Sequence, residues 1–173
     1  MSNAVKFMIE KANPDRHSKD IELLIQELAN YERMPDGPKI KADQLKSALE
    51  KGYCHAYVAL LTEAYEKRPE NSAIGYLIYY FAYSTWEGRY MFIEDIYVKP
   101  ELRRYGIGSA LWNTATKIAY EDNLPRIELN VLAWNETAIQ FYSRMGAVDL
   151  YKRESWIRFR IERDRIEELA KNL

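Results

Sequence analysis

The sequence predicts an α+β fold in which helices flank a mixed, mostly antiparallel central sheet. Residues 56–61, 74–83 and 89–98 are rich in β-branched and aromatic residues and are joined by short loops. Three such segments in a row predict an antiparallel meander. After them, apolar residues recur at helical spacing, so the pattern changes from strand to helix. The absence of repeats or a linker, with a length of 173 residues, predicts one domain over residues 5–173.

One strand and two helices are predicted before the meander. Val5–Glu10 alternates apolar and polar residues, which is typical of a strand. Apolar residues between positions 21 and 28 form one helical stripe, and the Pro35–Pro38 turn ends that helix. A second helix is predicted over Ala42–Glu50, with Gly52 just after its end.

Helices and strands alternate after the meander. Residues 107–118 show helical spacing, and Pro125 separates this helix from a strand over Arg126–Val131. The next helix carries apolar residues on one face from position 138 to position 145. Trp156–Ile161 alternates and predicts a last strand. A charged amphipathic helix follows, with Ile166, Leu169 and Ala170 expected to face inward.

Composition argues against several classes of protein. The net charge of −1 disfavours a nucleic-acid binder, because such domains are strongly basic. No apolar run approaches the length of a membrane helix, so no membrane partner is expected. The single cysteine, Cys54, and the lack of a signal-peptide pattern favour a reducing, cytoplasmic compartment. Ser2–Ala4 could be left over from expression, so residues 1–4 are excluded from the fold argument.

A glycine-rich turn is the strongest local motif. Arg103–Gly108 (Arg-Arg-Tyr-Gly-Ile-Gly) contains two of the seven glycines and lies between a strand and a helix. Glycines let backbone N–H groups converge at a helix N-terminus, where phosphate binds well, and arginines can pair with phosphate oxygens. A tight turn with two exposed arginines is the alternative. The motif is neither a Walker loop nor a dinucleotide fingerprint.

The turn resembles the Q/R-x-x-G-x-G/A pyrophosphate loop of the GNAT superfamily of acyl-CoA-dependent N-acetyltransferases. The predicted order of strands and helices resembles that family too. Within it, the chain is similar to the diamine acetyltransferases, which include spermidine/spermine and thialysine enzymes. The matching segments are Gln26–Glu32, Tyr79–Phe81, Glu94–Val98, Tyr105–Ser109, Ala133–Asn135 and Phe141–Tyr142.

The resemblance implies acetyl transfer from acetyl-CoA to a primary amine by direct attack in a ternary complex. It implies that Tyr142 protonates the departing thiolate, which suits a phenol. It also implies that Glu94 contacts the substrate and removes the amine proton through water, with Asp95 attracting the cationic amine. A structural ion pair with an arginine is the alternative for these two acids.

The resemblance also assigns the binding residues. For acetyl-CoA, the β-strand backbone pairs with the pantetheine arm, the Ile96 N–H polarises the acetyl carbonyl, and the glycine turn binds pyrophosphate. These cofactor residues are Ile96, Tyr97, Val98, Arg103, Arg104, Tyr105, Gly106, Ile107, Gly108, Ser109, Asn135, Glu136, Thr137 and Ala138. The amine-binding residues are Tyr31, Glu32, Trp86, Glu94, Asp95, Glu128, Leu129, Asn130, Glu154 and Trp156. Taken singly, Glu32, Glu128 and Glu154 are more often solvated surface residues.

Two departures from the family pattern affect these predictions. Arg103-Arg104 stands where the family usually has Arg-Gly, which would stiffen the turn. Ser84-Thr85-Trp86 resembles the thialysine branch, whereas polyamine enzymes resemble Asp-Pro-Trp. A thialysine- or lysine-like ε-amine is therefore favoured over spermidine. A polyamine N1-acetyltransferase, a protein N-acetyltransferase and a non-catalytic acyl-CoA-binding module are the alternatives.

Two expectations concern partners and metals. The resemblance and the aromatic segment at Trp156 imply a homodimer. No metal is expected, because His17 and His55 lie far apart and no His/Cys cluster exists.

Overall fold

A computed structural model describes residues 4–171 of the chain. These residues form five β-strands and six α-helices, with a short 3₁₀ turn at Pro100–Leu102. In chain order they are β1 (Phe7–Lys11), α1 (Pro14–Tyr31), α2 (Ala42–Glu50), β2 (His55–Leu61), β3 (Ala73–Ser84), β4 (Gly88–Val98), α3 (Ile107–Glu121), β5 (Ile127–Leu129), α4 (Glu136–Arg144), α5 (Leu150–Glu154) and α6 (Arg163–Lys171).

The five strands make one mixed sheet in the order β1-β2-β3-β4-β5. Strands β1 to β4 are antiparallel neighbours, and β5 runs parallel to β4. Parallel neighbours need a crossover connection, and α3 supplies it. The predicted antiparallel meander and mixed sheet are therefore confirmed, although β5 is shorter than the predicted strand over Arg126–Val131.

Each face of the sheet is covered by helices. On one face, Ile21 of α1 and Leu45 of α2 pack against Tyr76 of β3. On the other face, Leu111 and the other buried residues of α3 pack against Met91 of β4. The strands are buried on both faces, which explains why residues 74–83 form an almost continuous apolar run.

A β-bulge interrupts β4 at Glu94. The partners of Ile78–Tyr79 on β3 are Asp95 and Ile93, so Glu94 is an extra residue in the ladder. Its effect appears in the packing, because Ile93 packs on the α3 face whereas Tyr97 packs on the α1 face. Regular alternation would place both on the same face. A regular strand would place the neighbours Glu94 and Asp95 on opposite faces of the sheet, and the bulge interrupts that alternation here.

The prediction of a last strand over Trp156–Ile161 is wrong, because these residues lie outside any strand. Alternation shows which side chains can share a face, but a strand also needs a hydrogen-bonding neighbour, and none pairs with this segment among residues 4–171. The preceding α5 was not predicted. It is too short for a periodic signal, and its start is marked by Asp149, whose carboxylate accepts the Tyr151 and Lys152 N–H groups.

The final helix α6 is confirmed, but its predicted inward face is not. Ile166 and Leu169 are 47% and 44% exposed. The described residues divide into two compact units, one up to Asn130 and one from Val131 onward. The first unit holds the whole sheet with α1 to α3, and the second holds α4 to α6. A single domain over residues 5–173 stays a prediction.

None of the helices in the described range, residues 4–171, has both the length and the apolar character required to cross a membrane.

Candidate active site

Strand β4 has a free backbone edge beyond its pairing with β5. That pairing covers only residues 91–93 and 127–129, whereas β4 continues to Val98. The Lys99 N–H donates to the Ile74 carbonyl at 3.0 Å. This bond shows that the backbone groups of Lys99 face β3. Because the backbone groups of successive residues in an antiparallel ladder point alternately to either side of the strand, those of Ile96 and Val98 point away from β3. These are the residues whose backbone the resemblance assigns to the pantetheine arm.

Arg103 is held close to this edge. Its Nε donates to the Val98 carbonyl at 3.1 Å, so one acceptor of the free edge already has a donor. The guanidinium carbon lies 4.7 Å from the ring centre of Tyr31 and 5.9 Å from that of Tyr97. Arg103 therefore links the glycine turn to the end of α1. Its binding of pyrophosphate stays a prediction.

The glycine turn leads directly into α3. Gly106 is the N-cap of α3 with a φ of +85°, and a Cβ there would meet no atom within 4 Å. The first N–H groups of the helix, at Ile107, Gly108 and Ser109, have no carbonyl partner within the helix. Such groups at the positive end of a helix can hold an anionic phosphate. Arg104, Tyr105 and Gly106 are exposed, so the turn is open to a ligand.

The departure at Arg104 has a structural consequence. Its φ is +69°, in the left-handed region. A residue with a Cβ costs about 1–2 kcal/mol in this conformation, whereas glycine adopts it freely. The chain therefore tolerates strain at the position where the family has glycine.

We expect Arg104→Gly to be about 1 kcal/mol more stable to unfolding than Arg104→Ala. Both variants remove the same charge, but only alanine keeps the Cβ that makes the left-handed backbone unfavourable. Urea denaturation of the two variants measures the difference. Equal stability, or a less stable glycine variant, contradicts the strain at this position.

Several carboxylates lie together where α1 ends and β4 bulges. Half-buried Asp95 accepts a hydrogen bond at Oδ2 from the Tyr76 hydroxyl, at 3.1 Å. Burial raises the pKa of Asp95 to about 6; the Tyr76 hydrogen bond opposes this rise, while the negative charges of Glu94 and Glu32 add to it. Burial also raises the pKa of Glu32. Tyr31 precedes Glu32, so four predicted amine-binding residues are brought together.

Sequence reasoning missed three residues that support this region. Tyr76 is fully buried, and nothing distinguishes it from the other tyrosines of its apolar run. Glu27 of α1 accepts a hydrogen bond from the Tyr97 hydroxyl at 3.2 Å and also forms an ion pair with Lys99. These contacts tie the middle of α1 to the end of β4, and no local sequence signal announces them.

Other predicted amine-binding residues lie elsewhere. Trp86 is 85% exposed in the turn between β3 and β4. Ser84 lies six positions along β3 from Ile78, the ladder partner of Asp95, and this distance along the strand is about 20 Å. Within one chain, Trp86 is therefore distant from Asp95.

The predicted amine-binding residues in and just after β5 have different surroundings. Glu128 forms an ion pair with Arg126 at 2.6 Å, and Arg126 also pairs with Glu87, so the charge of Glu128 is partly offset. Leu129 is the ladder partner of Ile93, next to the bulge at Glu94. Asn130 follows it and is exposed. Leu129 is thus the member of this group that lies beside the carboxylate cluster.

The second unit carries the remaining predicted residues. Asn135 caps α4, and its side chain accepts the Ala138 N–H at 3.2 Å, which explains the start of the helix at Glu136–Thr137. Tyr142 is half-buried on α4, with its ring centre 5.4 Å from that of Phe141.

At the end of α5, Glu154 forms an ion pair with Arg153 and accepts the Trp156 indole N–H at 3.1 Å. The predicted amine-binding residues Glu154 and Trp156 are thus bonded to each other. Within residues 4–171, no group of three or more His, Cys, Asp or Glu side chains is arranged to hold a metal ion. Freedom from metal stays a prediction.

A model of the acetyltransferase (GNAT) family matches residues 21–147. The chain belongs to the GNAT acetyltransferase family. It is 40% identical over 149 residues to the thialysine N-ε-acetyltransferase of Bos taurus, covering 85% of this chain and 88% of the bovine protein. To the enzyme of that name from Caenorhabditis elegans it is 33% identical over 164 residues, covering 95% of this chain and 97% of the nematode protein.

The fold is likewise that of a GNAT protein. A solved aminoglycoside acetyltransferase from an uncultured soil metagenomic sample superposes with a TM-score of 0.72 at 19% identity, covering 90% of this chain and 95% of that chain. The chain is therefore an acyltransferase that transfers an acetyl group to an amine. Membership of the GNAT family implies that acetyl-CoA is its co-substrate. The predictions of fold, family and enzyme class are confirmed.

Proposed function

We propose that this GNAT enzyme acetylates the ε-amine of thialysine or a lysine-like small molecule. The observation that carries the proposal is the cluster of Glu32, Glu94 and Asp95 beside the free edge of β4. Clustered carboxylates attract a small cationic amine to the strand edge proposed for the acetyl donor. The similarity to thialysine N-ε-acetyltransferases over most of the chain supports this substrate class.

The residues of the first unit fit acetyl-CoA. The outward backbone groups of Ile96 and the outward N–H of Val98 can pair with an amide-containing arm, and the first turn of α3 can hold pyrophosphate. When bound, the co-substrate supplies an acetyl thioester. The Ile96 N–H would then polarise the thioester carbonyl as an oxyanion-hole donor does. On the basis of the family resemblance, we propose that residues Asn135–Ala138 also contact the cofactor.

The chain's own acids and tyrosine handle the protons. A lysine-like ammonium has a pKa near 10.4, so the site must take a proton from it before attack. The resemblance gives this task to Glu94, through water, and gives Asp95 the task of attracting the cation. Tyr142 is proposed to donate a proton to the departing thiolate.

We also propose that the protein is a cytoplasmic homodimer without a metal. The exposed aromatic and aliphatic side chains of residues 156–161 support an apolar interface. Neither nucleic acid nor a membrane is proposed as a partner. Analytical ultracentrifugation measures the oligomeric state.

An amine panel with detection of released thiol tests the proposed function. We expect kcat/KM to be higher for thialysine than for spermidine, because Ser84-Thr85-Trp86 resembles the thialysine branch and lacks the aspartate that the polyamine enzymes resemble there. Lysine, ornithine and a lysine-containing peptide complete the panel.

Other outcomes of the amine panel indicate other functions. A higher kcat/KM for spermidine indicates a polyamine enzyme, and turnover of the peptide alone indicates a protein acetyltransferase. Acetyl-CoA binding without thiol release on any amine contradicts catalysis and favours an acyl-CoA-binding module.

A further inference from the structure

Tyr76 is a buried tyrosine that the proposed mechanism does not use. Its side chain is fully buried between β2 and β4 in the core beneath α1 and α2. Its hydroxyl donates to Asp95 Oδ2 at 3.1 Å. Because the surrounding core fixes the Tyr76 side chain, its hydroxyl orients the Asp95 carboxyl group as well as bonding to it.

The second oxygen of Asp95 remains open. Among residues 4–171, Oδ1 accepts no hydrogen bond. It is also not one of the fully buried polar atoms of these residues that lack a partner, so it is not fully buried. Asp95 is thus held through Oδ2 by a residue of the core, and Oδ1 is the oxygen that keeps some exposure to solvent. This arrangement suits a carboxylate that exchanges a proton with a ligand or water.

Glu94 lacks this support. It is exposed at the bulge. An exposed glutamate side chain is free to rotate, so it loses conformational entropy when it adopts one catalytic geometry. The two neighbouring acids therefore differ in orientation, and the better oriented one is Asp95.

We propose that Asp95, in place of Glu94, accepts the proton of the amine, and that Tyr76 is the positioning residue that orients it. The inference rests on the proposed function. In the step, Asp95 Oδ1 takes a proton from R–NH₃⁺. The nitrogen lone pair then forms the C–N bond to the acetyl carbon, the C–S bond breaks, and the thiolate takes a proton from Tyr142. The second proton of the nitrogen passes to water, and the Tyr142 phenolate is reprotonated from water.

The electrostatics agree with this assignment. Facing Asp95 are Tyr76 on β3, Glu94 on β4 and Glu32 at the end of α1. With a pKa of about 6 in place of 3.8, Asp95 is about 100-fold more basic than an ordinary aspartate and still ionised at neutral pH. Since the charged form is the active one, kcat/KM is expected to rise with pH and level off above about 6.

The test is the pH profile of kcat/KM for thialysine in Tyr76→Phe. Phenylalanine keeps the ring in the core but removes the hydrogen bond to the charged carboxylate. We expect the acidic limb of the profile to move upward by about one pH unit. Tyr79→Phe is the matched control, because Tyr79 is also a buried tyrosine of the same strand but packs in the core on the opposite face.

Two further variants separate the acids. Asp95→Asn can still accept the Tyr76 hydrogen bond but cannot take a proton, so we expect kcat/KM to fall at least about 100-fold and the acidic limb to disappear. Glu94→Gln is expected to keep an acidic limb near pH 6. Loss of that limb in Glu94→Gln, with an unmoved limb in Tyr76→Phe, contradicts the proposal.

A direct titration keeps this inference separate from the substrate assignment. The carboxyl ¹³C resonance of Asp95 is followed against pH in the wild type and in Tyr76→Phe without substrate. An upward shift in the variant supports the role of Tyr76, and an unchanged titration contradicts it whatever the activity. Absence of thiol release with every amine contradicts the proposed function instead.

Discussion

Tyr142→Phe is expected to lower kcat by about 10²- to 10⁴-fold, the usual contribution of a general acid. Phenylalanine keeps the ring that lies 5.4 Å from Phe141 but has no proton to give the departing thiolate. Because the hydroxyl acts on the leaving group, the KM for the amine is expected to change little. Steady-state thiol release measures both constants.

The control for this variant is Tyr151→Phe. Tyr151 lies in the same unit and is 64% exposed. Calorimetry should show the same affinity for acetyl-CoA in both variants and the wild type. A Tyr142→Phe enzyme that keeps its kcat would remove Tyr142 as the acid.

Gly75→Ala is expected to destabilise the protein by about 1–3 kcal/mol and to raise the KM for acetyl-CoA. A Cβ at Gly75 would lie only 2.7 Å from the Tyr97 carbonyl oxygen and 3.3 Å from Val98 Cγ2. Gly75 is the ladder partner of Val98, so β3 and β4 must separate there. That separation displaces the backbone edge proposed to bind the pantetheine arm.

Denaturation and kinetics together test this effect. Leu61→Ala is the control, because Leu61 is fully buried on β2 and its truncation costs stability without moving β4. We expect Leu61→Ala to be at least as unstable but to keep the KM for acetyl-CoA. The same KM increase in both variants would mean that general destabilisation, and not the strand edge, controls binding.

Local signals were sufficient for most of the first unit. The meander, α2 and α3 appear close to their predicted bounds, because alternation, helical spacing, proline and glycine all act within a few residues. Helix α1 contains its predicted stripe but begins earlier, at Pro14. The glycine turn was also predictable from Gly106 and Gly108. Even the departure at Arg104 was visible, although the positive φ that makes it costly was not.

The bulge at Glu94 and the bond from Tyr76 to Asp95 were not predictable in this way. A bulge is defined by the register of β4 against β3, and Tyr76 and Asp95 are 19 positions apart in the chain. The ion pair of Glu128 with Arg126 similarly offsets part of a charge that looked available in the sequence. Each depends on which groups lie beside each other after folding.

Residues 156–161 show the opposite failure, in which a clear local pattern did not produce a strand. Their alternation is real, but a strand exists only where a neighbour supplies hydrogen bonds, and within residues 4–171 none does.

By itself, then, the sequence determined the order of elements up to α4 and the family, and it predicted a phosphate-binding turn. These depend on short-range periodicity, backbone freedom at glycine and residue identity. Only the tertiary structure decided which carboxylate is held in one orientation, and which backbone edge is free. Both depend on strand register and burial, which bring distant residues together and set the charge of Asp95.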